Sequence, residues 1–214
     1  MLVEIFSDVV CPWCYVGKAR FEQALERLAW RDEIEVVFRP FELDPTVPRG
    51  GVPIAEYYGR KFGNPRAIDA MDERVGTAAR ELDLRFDLRN AVRANTHDSH
   101  RLLCWALAER GSGPQGAVKQ RLMEAYFAEA ADLGDHTTLA RLAGEAGLDT
   151  ETAAEVLASG AYEDEVQEAR RDARDRDIHA VPTFVLADAI AIPGAQDPDT
   201  IATLLERVRT KLAG

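Results

Sequence analysis

Cys11 and Cys14 stand two residues apart in Cys11-Pro12-Trp13-Cys14, between an apolar run at 2–6 and a helical pattern that begins near Tyr15. Two thiols so spaced at a strand-to-helix junction can close on each other as a disulfide and swap that link with an outside thiol. The helix start adds to the chemistry. Unpaired backbone N–H groups and the positive end of the dipole converge on the first sulfur and favour its thiolate. Pro12 suits the first helical position, where a missing N–H costs nothing. The expectation is an exposed, acidic nucleophile at Cys11 and a shielded resolving thiol at Cys14. The competing use of such a pair is half a structural zinc site, which needs four ligands. Cys104, His97, His100, His136 and His179 remain as candidates, and His97, His100 and Cys104 share helical spacing. Nothing but that spacing joins them to the N-terminus, so redox chemistry is favoured and no metal is expected.

The elements that must hold the two thiols follow from periodicity. Residues 2–6 read as a buried strand, and Ser7-Asp8 as the turn after it; Asp8 reads first as a turn residue and second as a proton relay for Cys14. A helix is expected from about Cys11 to Trp30, with Ala24, Leu25, Leu28 and Ala29 as its apolar face. Residues 34–38 make a second strand, ended by Pro40. From about 52 to 176 the pattern is helical with no convincing strand. Pro53 opens a helix through Phe62, Asn64-Pro65 opens another to about Leu82, and residues 83–94 read as a connecting loop. Thr96 can cap a helix that stops at Gly111, and a further helix carries Val118, Leu122 and Tyr126. Helices at 137–146, 150–158 and 162–176 complete the block. Strand character returns at 181–186, entered through Pro182, with 190–192 as a hairpin partner. Asp197-Pro198 then opens a final helix. The order predicts an α/β fold, one small sheet split in sequence: residues 1–50 and 178–214 form one domain, and 51–177 an inserted, all-helical subdomain.

Bulk properties bound the partners. The 214 residues carry a net charge of −11, a surface that repels nucleic acid and anionic lipid, so neither is an expected partner. No apolar stretch approaches the roughly 20 residues that span a bilayer. The first residues run straight into a strand pattern without a basic and apolar leader, which gives the cytoplasm as the expected location. Three cysteines fit a reducing compartment. The expected state is either a monomer or a homodimer.

The order of elements, with CPWC after the first strand and Val-Pro-Thr-Phe before the third, resembles the thioredoxin superfamily, and the inserted helices resemble its DsbA-like members. Ser-Asp-Val-Val-Cys-Pro-Trp-Cys-Tyr-Val-Gly-Lys at 7–18, Phe-Glu-Leu-Asp-Pro at 41–45, Asn95-Thr96 and Gly-Ala-Gln at 194–196 are similar to the FrnE-like branch. The resemblance implies a thioredoxin-like four-stranded sheet and a cis Val181–Pro182 bond facing the cysteine pair. It also implies that Cys11 and Cys14 are catalytic and that Pro12, Trp13, Val181, Pro182 and Asn95 meet the substrate. An extended substrate could pair with backbone groups beside Pro182 by strand addition.

The expected function is thiol–disulfide exchange with a protein or small-molecule thiol, with no cofactor beyond the redox-active disulfide, or with glutathione as co-substrate. Trp13 brings no charge to the pair, so the potential should lie between about −270 mV for thioredoxin and about −120 mV for DsbA. The alternative is a glutathione-dependent isomerase or transferase acting on a small aromatic substrate; such relatives carry Ser at the position matching Cys11 and lack the resolving cysteine. A non-enzymatic binder of unfolded chains is a third class. Cys104, between Leu103 and Trp105, reads as a packed small hydrophobe. His97 and His100 read as partly exposed, and His97 and His179 are the histidines to check near Cys11.

Overall fold

The structure, a computed structural model, describes residues 1–64 and 66–213. A four-stranded sheet runs in the order β2-β1-β5-β6, with β1 at Leu2–Ser7, β2 at Glu35–Pro40, β5 at Thr183–Leu186 and β6 at Ile190–Pro193. β1 pairs in parallel with β2 and antiparallel with β5, which turns back on β6. The parallel pair needs a crossover, which is supplied by α1 at Pro12–Glu26. The chain is thus α/β with a thioredoxin-like sheet. Between β2 and β5 lie α2 (Ile54–Phe62), α3 (Ala67–Arg80), α4 (His97–Arg110), α5 (Ser112–Glu129), α6 (His136–Glu145), α7 (Thr150–Ala158) and α8 (Glu163–Asp175). The chain closes with α9 at Pro198–Ala213. No helix among the described residues is long and apolar enough to cross a membrane.

Alternation along β1 decides what each face of the sheet meets. Val3 and Ile5 pack with Phe21 and Ala24 of α1 and with Ile201, Leu205 and Val208 of α9. Glu4 and Phe6 point the other way. Burial alone would raise the Glu4 carboxyl, but bonds from Arg176 and Arg39, at 2.8 and 2.6 Å, outweigh it and hold the group below its usual range. On the outer edge Gln115 of α5 turns its buried amide to β2: Nε2 donates to the Phe38 carbonyl and Oε1 accepts the Phe38 N–H, both at 2.9 Å. The amide occupies the place of one peptide unit of a further strand.

Several features depart from the sequence reading. α1 ends at Glu26 rather than near Trp30, because Leu28 and Trp30 turn back under the sheet, where both are buried. The indole of Trp30 donates to Glu206 of α9 at 2.8 Å. The region read as strand-free holds a short antiparallel pair, β3 (Val52–Pro53) with β4 (Val92–Arg93), so the segment at 83–94 is partly a strand. α3 begins at Ala67, and the Pro65 expected to open it lies outside the described residues. Thr96 stands before α4 but makes no side-chain cap; Asn95 Oδ1 accepts the His97 N–H instead, at 2.9 Å.

Candidate active site

Cys11 is the cap of α1, with extended backbone, and its sulfur accepts the Cys14 N–H at 3.3 Å. Pro12 follows at the first turn, where it removes a donor that would have no partner. One helical turn places Cys14 beside Cys11, and both are free thiols. The expectation of an exposed nucleophile is corrected here. Cys11 is only 4% exposed and Cys14 1%, because Val9, Val10, Cys11, Cys14 and Tyr15 share one apolar core with α4, α5 and α6. The Cys11 thiol donates to the Val181 carbonyl at 3.7 Å. Burial first, then the Cys14 sulfur, pushes the Cys11 thiol well above its ordinary range, against the pull of the Cys14 N–H. Cys11 therefore keeps its proton more firmly than a free thiol would, and the acidic thiol expected from the helix start is not what this packing favours.

The peptide bond between Val181 and Pro182 is cis. This corner sits directly on α1. A Cβ added to Gly17 would lie 2.9 Å from Pro182 Cγ and 3.3 Å from Ala195 Cβ, so only glycine lets the helix approach. Trp13 is half-buried against the helical block, with the Arg74 guanidinium of α3 5.5 Å from its ring. Asn95 staples the loop before α2: its Nδ2 donates to the Pro45 and Val47 carbonyls at 3.2 and 2.9 Å, which uses its donors on backbone.

Beneath the thiols lies a polar cluster that the motif alone does not reveal. Asp8 is fully buried and accepts the Leu43 N–H at 2.8 Å. Burial raises its carboxyl, but His100, Arg93 and that N–H prevail and hold it down to about 2. His100, expected to be partly exposed, is buried with Nε2 3.4 Å from Asp8. Lys119 of α5 is fully buried and donates to the Ser7 carbonyl at 3.3 Å. Burial lowers its ammonium to about 8, partly offset by the Cys14, Asp8 and Cys11 charges. Gln115 and Lys119 lie on the helix face that also carries Leu122 and Tyr126, and nothing in the motif marks them as buried.

The other candidates fall elsewhere. His97 joins Glu42 and Glu163, at 3.6 and 2.6 Å, and these carboxylates raise it against burial. His179 is exposed beside Asp177. Cys104 is half-buried on a groove with Glu165 and Arg39, and burial, then Glu165, pushes its thiol up to about 12. No group of His, Cys, Asp and Glu among the described residues converges as a metal site.

Residues 2–206 match the DSBA-like thioredoxin domain. The chain belongs to that family. The uncharacterised protein YwbO of Bacillus subtilis is 30% identical over 201 residues, 92% of each chain. Among solved structures, the DSBA-like chain is similar to the "probable DsbA oxidoreductase SCO1869" of Streptomyces coelicolor, with a TM-score of 0.89 and 38% identity over 97% of this chain and 89% of that one. The cytosolic disulfide reductase DsbM of Pseudomonas aeruginosa shares the fold at a TM-score of 0.68 and 18% identity, covering 99% of this chain and 100% of its own.

Proposed function

We propose that this DSBA-like chain is a thiol–disulfide oxidoreductase of the FrnE-like branch that works through Cys11 and Cys14. The observation that carries the reading is the pair itself: two free thiols one helical turn apart at the cap of α1, with the first against the Val181 carbonyl. In the reducing direction, Cys11 gives its proton to solvent and its thiolate attacks a substrate disulfide, releasing one substrate thiolate. Cys14, deprotonated in turn, attacks the Cys11 sulfur and releases the second. Two electrons leave the dithiol, and the protein is left with a Cys11–Cys14 disulfide. An external dithiol or glutathione restores the reduced form; DsbM, which shares the fold, has a structure with glutathione. The cysteine usage supports work in the cytoplasm on small or protein disulfides.

Insulin reduction driven by dithiothreitol tests the reading, with Cys11→Ser and Cys14→Ser beside the native protein. Both substitutions should remove turnover, and mild oxidation should hide two alkylatable thiols, mapped to Cys11 and Cys14. Turnover that needs glutathione and survives Cys14→Ser would replace this reading with glutathione-dependent transfer, because that reaction needs no resolving thiol.

A further inference from the structure

A pocket of 170 Å³ is lined on one side by Val10 and Pro12, the residues that flank Cys11 at the start of α1. α2 supplies the opposite wall: Tyr57 and Tyr58 stand edge to face at 5.8 Å, and Tyr58 and Phe62 lie 5.2 Å apart. Phe62 and Leu43, both on this pocket, are among the few large apolar side chains left exposed. The size is informative. A cavity of about 150 Å³ lined by apolar side chains takes up benzene, so this one has room for a single six-membered ring with a small substituent.

The floor of the pocket is not apolar. Arg93 is only 4% exposed, its Nε is buried without a hydrogen-bond partner, and its guanidinium lies 4.9 Å from the Tyr57 ring. The Tyr126 hydroxyl, also on this pocket, is buried and faces the Arg93 guanidinium alone. The nearby carboxylate is Asp8, which Arg93 shares with His100 and Lys119. On the rim Lys61 is held by Asp44 at 2.9 Å, which leaves the interior positive charge to Arg93. A buried guanidinium whose Nε has no partner, and whose one carboxylate is shared with two further groups, has room for a second anion beside the phenol.

We infer that this pocket receives an aromatic ring bearing a carboxylate, the ring between Tyr58 and Leu43 and the carboxylate on Arg93 and Tyr126, carried by a small disulfide that Cys11 attacks. This rests on the dithiol reading and names its substrate class: low-molecular-weight aryl disulfides with an acidic group. The exchange is the one described above, giving two aryl thiolates and the Cys11–Cys14 disulfide, with an external dithiol as the reductant.

The test separates the pocket from the dithiol. Binding of benzoate and of benzamide is measured by calorimetry on the native protein, on Arg93→Met, and on Leu43→Trp, which fills the mouth from an exposed position. Benzoate should bind at least tenfold more tightly than benzamide, Arg93→Met should erase that preference, and Leu43→Trp should weaken both. Benzoate should also compete with 5,5′-dithiobis(2-nitrobenzoate) in the dithiothreitol-driven turnover assay. Equal binding of the two ligands, a preference that survives Arg93→Met in a folded variant, or no binding at all overturns the pocket inference while insulin reduction still stands. Benzoate binding with no disulfide turnover leaves an anion pocket but overturns its role in a substrate and the dithiol reading with it.

Discussion

The ammonium of Lys119 reaches the main-chain carbonyl of Ser7 at 3.3 Å from a position with no access to solvent, under the turn that carries both thiols. Its ordinary value of 10.5 falls to about 8 in the folded chain, chiefly through burial. Between those values the unfolded chain holds a proton that the native one has lost, so this group's contribution to stability rises with pH across the window. In Lys119→Met the slope disappears. The stability difference between variant and native protein should change by about 3 kcal/mol between pH 7 and 10.5, as read by urea unfolding at several pH values. Parallel curves would contradict the assignment.

The Cys11 proton, held against the Val181 carbonyl, sets a second pH dependence. With the thiol pushed above its ordinary range, the reactive thiolate increases as pH rises. Turnover of a small disulfide at limiting concentration should climb about tenfold per pH unit from 6 to 8, with no plateau near neutrality. A plateau below pH 7 would mean that the helix start outweighs burial.

The same packing sets the redox poise. DsbA is a strong oxidant because its reduced form is stabilised, and a dithiol that keeps its proton lacks that stabilisation. The potential should lie nearer about −270 mV than about −120 mV, measured by equilibration with glutathione and trapping of thiols.

Gly17→Ala drives a methyl group into Pro182 and Ala195. The overpacking should cost about 1–3 kcal/mol and move the Val181 corner off α1. Disulfide turnover should fall while the number of titratable thiols stays the same. Unchanged turnover would show that the close approach serves packing alone.

Cys104 should behave as a bystander. A thiol at about 12 instead of 9.0 has on the order of 10³ less thiolate at neutral pH. Iodoacetamide should leave Cys104 unlabelled in the native protein over the time that labels it fully in urea, as read by peptide mapping. Rapid native labelling would overturn the assignment.

The thiol pair, the α1 crossover and the hairpin before α9 were legible because strands and helices of several turns impose a period on their apolar residues. β3 and β4 were not, since two residues carry no period. Burial of His100 and Lys119 was equally hidden: each is a polar residue on a helix whose neighbours are apolar, and only the opposing Asp8 explains the placement. The pocket draws Pro12, Leu43, Tyr58 and Arg93 from four separate segments, so it exists only once the chain has closed. Cys11 was misjudged for a related reason. The helix start was visible in sequence, whereas the core that covers the sulfur is tertiary.

Gln115 has an effect on the molecule's company as well as on its fold. By occupying the hydrogen-bonding groups of Phe38, it denies a stray polypeptide the ladder it would need to attach along β2. That flank is thus closed as a template for aggregation, although β2 is an outer strand of the sheet.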